Sequence, residues 1–173
     1  MSSFLFFVLF LIIGTLAWGS VLAAPWVPTL SAQRKLLVDN LVINPESTIY
    51  DLGCGSGSIL FEFANRYPSA KCIGYDVALF PLFLGLIVKL RHPKKYKNVS
   101  LRFGNFFNKH FRNADVIVAF LMQKAYPKFI TTLQREAKPE TLVAIEAWPL
   151  PDKNPIQIIQ GNELLSWFVY KNL

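Results

Sequence analysis

The segment Tyr50-Asp51-Leu52-Gly53-Cys54-Gly55-Ser56-Gly57, with Asp76 closing the next apolar run nineteen positions after Gly57, constrains this chain more than any other stretch. It reads as a strand over Thr48 to Leu52, a glycine-rich turn, a helix opening near Ser58, and a second strand, Lys71 to Tyr75, that ends in the carboxylate of Asp76. Gly53 and Gly55 allow positive φ and let a ligand approach the backbone without meeting a Cβ. Ser58 or Ser56 can cap the helix that follows. The spacing is G-x-G-x-G, whereas the loop that wraps a pyrophosphate is G-x-G-x-x-G. Asp51, two residues before the first glycine, would repel a diphosphate but suits an ammonium. Asp76 stands where an acid accepts the hydroxyls of a ribose. The pattern therefore calls for a nucleoside with a cationic end, bracketed by two carboxylates. Its plain rival is a tight strand-to-helix turn beside a strand-end acid facing water.

From Met1 to Gln33 no side chain is charged, and Phe4 to Ala24 is almost wholly apolar. About 20 such residues form a helix long enough to cross roughly 30 Å of hydrocarbon. This segment reads as a transmembrane anchor over residues 1–25, with one domain over 26–173. A cleaved signal peptide is the rival, since Leu22-Ala23-Ala24 resembles a cleavage site, but the basic region that should precede it is missing. Arg34 and Lys35 are the first charges after the span, which by the positive-inside rule places the domain in the cytoplasm.

Pro25 to Thr29 reads as an extended linker, and Ser31 can cap a helix leading to the first strand. Leu79 to Leu90 is an apolar helix interrupted by Pro81, expected to pack on the sheet or touch the bilayer. Further strands are expected over Asn98–Phe103, Asp115–Leu121 and Thr141–Ala147, with a helix over Tyr126–Ala137. This alternation implies a doubly wound α/β fold with a mainly parallel sheet. Ile156–Gln160 and Leu164–Tyr170 add an antiparallel hairpin around Gly161-Asn162. Cys54 and Cys72 should lie over about 10 Å apart, beyond disulfide reach. No Cys/His cluster has metal-ligand spacing, and His92 and His110 read as solvated.

The 173 residues carry a formal net charge of +7, and much of the excess lies from Lys89 to Arg112, where no acid intervenes. Such a surface suits anionic lipid headgroups or simple solvation, and a nucleic-acid backbone is the sharper alternative.

The glycine motif with Asp76 resembles the class I S-adenosylmethionine-dependent methyltransferases. Several further segments narrow the likeness: Trp26-Val27-Pro28-Thr29 with Ser31, Arg34 and Lys35; Ile73-Gly74-Tyr75-Asp76; Val116-Ile117-Val118; Trp148-Pro149-Leu150-Pro151; and Trp167 with Tyr170. With the apolar anchor, the chain is similar to the small membrane-anchored lysine methyltransferases of the ATP synthase c subunit and adenine nucleotide translocase group. It departs from that group where Ser56 replaces an acid, Asp76 a glutamate and Asn105 an aspartate. Ala119-Phe120-Leu121-Met122-Gln123 also replaces a Gly-Val-Pro-Gln form.

The resemblance implies S-adenosylmethionine as cofactor and methyl transfer to a lysine amine of a membrane or membrane-associated protein. It assigns the cradle to Gly53, Gly55 and Gly57, the methionyl end to Asp51 and the ribose to Asp76. Val77 and Phe106 would flank adenine, and Asn105 would read its edge. Trp26, Phe120 and Trp148 are candidates for an aromatic wall around the target ammonium. No general base is assigned. RNA, a lipid or quinone, or another small molecule as acceptor, and a non-catalytic cofactor-binding module, remain alternatives.

Overall fold

The computed structural model describes residues 2–161, 165–171 and 173. In chain order the elements are α1 (Ser2–Leu22), α2 (Ser31–Asn40), β1 (Thr48–Leu52), α3 (Ser58–Arg66), β2 (Lys71–Asp76), α4 (Leu79–Arg91) and β3 (Val99–Phe103). They continue with β4 (Val116–Ala119), α5 (Tyr126–Glu136), β5 (Leu142–Glu146), β6 (Gln157–Ile159) and β7 (Trp167–Tyr170). Single 3₁₀ turns occupy Phe106–Asn108 and Gln123–Ala125.

The sheet runs β3-β2-β1-β4-β5-β7-β6. Its first five strands are parallel, and β7 runs antiparallel to both β5 and β6. Alternation along the strands sends Ile49, Cys72, Val116, Val118 and Ala144 to one core, which Leu60 and Phe63 of α3 cover. Tyr50, Ile73, Ile117, Val143 and Ile145 go to the other, under Phe129 and Leu133 of α5. β1 neighbours both β2 and β4, so the strand order reverses beside it and opens a crevice at the carboxyl ends of these strands.

The expected Rossmann-like sheet and its antiparallel C-terminal strands are thus present, with each strand beginning or ending up to a few residues inside its predicted run. Asn162 and Leu164 of the expected hairpin lie outside the described residues. Two capping expectations are corrected. Ser31 is the first residue of α2, behind Leu30 as the cap, and Gly57 rather than Ser56 or Ser58 caps α3 with φ 75°. Neither cap makes a side-chain bond; a left-handed turn at Gly57 brings the chain straight from the loop into the helix, leaving no serine the geometry to reach back.

Pro81 does not interrupt α4. It is the third residue of the helix, in the first turn, where an N–H would have no intrahelical partner. Gly85, one turn on, is where α4 meets the glycine loop: a Cβ there would lie 2.3 Å from the carbonyl oxygen of Ser56. Among the described residues α1 is the longest helix, and its N-terminal half is bare, with Phe4 75%, Phe6 72% and Phe10 72% exposed. Ser3–Leu22 is long and apolar enough to cross a membrane.

Candidate active site

The turn after β1 is fastened to β2 by backbone bonds, Gly53 N and Cys54 N both donating to the carbonyl of Tyr75 at 2.9 and 3.1 Å. Asp76 adds a second fastening. Its Oδ2 accepts from Gly55 N and its Oδ1 from Ala78 N, each at 2.7 Å. Burial pushes the Asp76 carboxyl above its usual range, against the opposing pull of the N–H groups of Ala78, Gly55 and Val77. Each carboxylate oxygen still has a lone pair for a ligand.

Asp51, in β1, is 3% exposed. Among the described residues no hydrogen-bond donor offsets its burial, and its carboxyl is held well above the usual range by desolvation, then by the charges of Asp76 and Glu146. An acid in that state is stabilised by any cation brought beside it.

Asp51, Gly53, Gly55, Asp76, Val77, Asn105 and Phe106 line one cavity of about 250 Å³, together with Trp26, Phe120 and Trp148. The candidate positions therefore converge, with one exception. Gly57 is outside the wall, where it starts α3 and backs onto Leu101, 2.5 Å from where a Cβ would sit. Asn105 lines the cavity but is already engaged: its Oδ1 accepts from Phe107 N at 3.0 Å and caps the 3₁₀ turn over Phe106–Asn108. The aromatic side includes Phe120 and Trp148, with ring centroids 6.3 Å apart, and Trp26, which meets Phe80 edge-on at 6.0 Å.

Trp148 is aimed by a sharp turn. Ala147 adopts φ 77°, a conformation that a residue with a Cβ rarely takes, and Tyr126 Oη donates to the Trp148 carbonyl at 2.8 Å. His110 takes no part in the cavity; it bonds Glu136 at 2.9 Å, and the Arg135 guanidinium first, then His110, keep the Glu136 carboxyl below its usual range. Cys54 and Cys72 are buried free thiols, each pushed up by burial and then by Asp51.

Two contributors escaped the sequence reading. Glu146, at the end of β5, is buried, accepts from Thr29 Oγ1 at 2.9 Å, and completes an acidic group with Asp51 and Asp76. The legible signal was a carboxylate at the carboxyl end of a strand next to the crevice. The other is α1 itself. Its Leu16, Gly19 and Leu22, with Ala23 just beyond it, form part of the cavity wall, and Met122 N donates to the Ala23 carbonyl at 3.3 Å.

The site's features fit S-adenosylmethionine. Gly53 at φ +91° leaves room that only Leu121, 3.7 Å away, approaches, Gly55 at φ +52° lets the Trp26 ring lie against the turn, and Asp51 is a buried carboxylate free to meet an ammonium. In comparisons with known proteins, the chain is 25% identical over 136 residues to a protein-lysine N-methyltransferase of Saccharolobus islandicus, covering 79% of this chain and 84% of that one. It is 30% identical over 106 residues to the methyltransferase ungE' of Aspergillus campestris, of which it spans only 28%.

Among solved structures, an RNA methyltransferase from Salinibacter ruber in complex with S-adenosyl-L-homocysteine superposes with a TM-score of 0.77 at 18% identity. That match covers 84% of this chain and 94% of the other. PKMT2 from Rickettsia typhi superposes at 0.56 with 21% identity, over 73% and 28% of the two chains. These likenesses establish the fold. The sequence family described as the ANTKMT methyltransferase domain matches residues 51–157, a stretch that runs from Asp51 of the crevice through the last parallel strand to the start of β6. The chain belongs to that family and is an S-adenosylmethionine-dependent methyltransferase.

Proposed function

We propose that this enzyme transfers methyl groups to lysine amines of a membrane or membrane-associated protein. The observation that carries the reading is the meeting, in one cavity, of the carboxylates of Asp51 and Asp76 with the rings of Trp26, Phe120 and Trp148. A cofactor and a second cation each find a partner there. The Saccharolobus relative, named as a protein-lysine N-methyltransferase, supports the same acceptor class.

When bound, S-adenosylmethionine supplies an activated methyl group, so the chain's residues have chiefly to bind and align. Asp51 receives the methionyl ammonium, Asp76 the ribose hydroxyls, and Gly53 and Gly55 the close backbone approach. Val77 and Phe106 flank the adenine, and the second lone pair on Asn105 Oδ1 accepts from its amino group. Trp26, Phe120 and Trp148 orient the target amine, a cation over a ring gaining roughly 0.5–2 kcal/mol. That attraction holds the ammonium in place, whereas desolvation in the enclosed cavity acts against it, lowering the amine's pKa and favouring release of its proton before transfer.

Residues 1–25 act as the anchor and 26–173 as the catalytic domain. Arg34 and Lys35, the first charges beyond the span, retain that domain on the cytoplasmic side.

Gly55→Ala tests the cradle. Its Cβ would stand 2.8 Å from Trp26 Nε1 at a backbone angle costing about 1–2 kcal/mol. Affinity for S-adenosylhomocysteine should fall about tenfold or more, with a shift in tryptophan emission. An unchanged affinity in calorimetry would show that the ring yields freely and that the turn does not grip the ligand.

The basic stretch also suits RNA. Incubating membranes that contain the enzyme with tritiated cofactor distinguishes the acceptors: label in protein hydrolysates confined to methyl-lysine is expected. Label recovered only in RNA or lipid would overturn the lysine assignment, and no transfer to any fraction would point to a binding module.

A further inference from the structure

α4 is apolar on every side before Lys89, yet only one side of it is covered. Pro81, Leu82 and Gly85 are buried against the domain. On the opposite side Leu79, Phe83, Leu86 and Leu90 recur at helical spacing and are 37%, 59%, 44% and 76% exposed. A helix without a polar face belongs in a core or in lipid, and a continuous exposed stripe of this kind marks a contact surface.

The position of the stripe says what covers it. Leu79 N donates to Thr15 Oγ1 of α1 at 3.3 Å, and Gly19 of α1 abuts Val77, so the start of α4 is docked on the membrane-spanning helix. Thr15 precedes Leu22 by seven residues, about 10 Å along a helix. With Leu22 at the hydrocarbon boundary, the start of α4 lies about 10 Å below it, comparable with the roughly 5–10 Å reached by helices lying in the plane of a membrane. At the other end of the stripe, Lys89, Arg91, Lys94, Lys95 and Lys97 follow without an intervening acid, complementary to anionic headgroups.

We propose that the outer face of α4 is a second membrane contact, lying in an anionic phospholipid bilayer beside α1. This rests on the reading of α1 as a span. Leu16 and Gly19 of α1 and Val77 and Ala78 before α4 all line the cavity, so the two contacts together hold the active site against the bilayer, with this wall of it inside the hydrocarbon boundary. Acceptors presented there would be reached ahead of freely diffusing proteins.

The test uses the full chain reconstituted in phosphatidylcholine vesicles containing a minority of phosphatidylglycerol. Single cysteines at Phe6, Phe83, Leu90 and Thr131 carry an environment-sensitive fluorophore; Cys54 and Cys72 are buried and escape labelling. Leu90→Cys is the safer α4 probe because that side chain is the most exposed of the stripe. Acyl-brominated lipid should quench positions 83 and 90 about twofold or more, and leave position 131 unaffected.

Quenching at position 6 alone would overturn the α4 contact and leave the anchor standing. No quenching at position 6 would remove the span and the inference with it. Labels at 83 and 90 that respond only when a solubilised membrane protein is added would assign the stripe to a protein partner and overturn the proposal.

Discussion

Asp76→Ala should reduce affinity for S-adenosylhomocysteine by about a hundredfold or more, measured by calorimetry. The side chain holds the glycine turn through Gly55 N and Ala78 N, and its remaining lone pairs are those proposed to receive the ribose. Hydrogen bonds to a charged group are each worth about 1.5–3 kcal/mol, so losing the turn's fastening and a ligand contact together reaches that scale. Asp76→Asn, which keeps one acceptor oxygen, should fall between the two proteins.

A ligand lacking the ribose 2′-hydroxyl separates the two roles. If Asp76 touches that hydroxyl, its removal weakens binding to the parent protein but not to Asp76→Ala, the signature of two groups in contact. Equal losses in both proteins would leave Asp76 with the turn alone, and unchanged affinity for S-adenosylhomocysteine in Asp76→Ala would dismiss both roles.

What could be read from the chain was whatever periodicity and glycine spacing encode. Apolar runs such as Thr48–Leu52 and Thr141–Ala147 read as buried strands, and the carboxylates at the far ends of β1 and β2, Asp51 and Asp76, mark the crevice. Three-dimensional closeness was harder to read. Nothing in the spacing of Thr29 and Glu146, 117 residues apart, announces the bond between them.

The serines near helix starts were misread because a cap is decided by backbone angles, and Gly57 at φ 75° turned the chain into α3 without a side-chain acceptor. Asn105 shows a related limit. A residue type suited to adenine also suits a 3₁₀ cap, and the structure gives its oxygen the local partner. The apolar character of Leu79–Leu90 was plain, but only the fold separates the face that covers the loop from the face left open.

Glu146→Gln should make the protein more stable at neutral pH while weakening cofactor binding. Burial pushes the Glu146 carboxyl up to about 7 from 4.5, even with the Thr29 hydroxyl bonded to it and Arg34 nearby. The sign follows from proton counting. Between pH 4.5 and about 7 the folded protein binds more protons at this group than the unfolded chain does. Stability therefore falls as pH rises through that window, and the penalty is complete above it.

A displacement of this size corresponds to roughly 3 kcal/mol, or several degrees in melting temperature. Gln retains an oxygen for Thr29 and cannot ionise, so the variant should melt higher than the parent at pH 8, converge with it near pH 4.5, and lose much of the slope between. Its affinity for S-adenosylhomocysteine should drop severalfold, because Glu146 contributes negative charge beside Asp51, where the methionyl ammonium is proposed to bind. Matching melting curves at both pH values would show that Glu146 does not titrate in this range. Gains in stability with undiminished affinity would confine it to holding Thr29. The expected combination, a destabilising acid kept because it favours a bound cation, is the trade between stability and function that an anionic pocket built on strand ends requires.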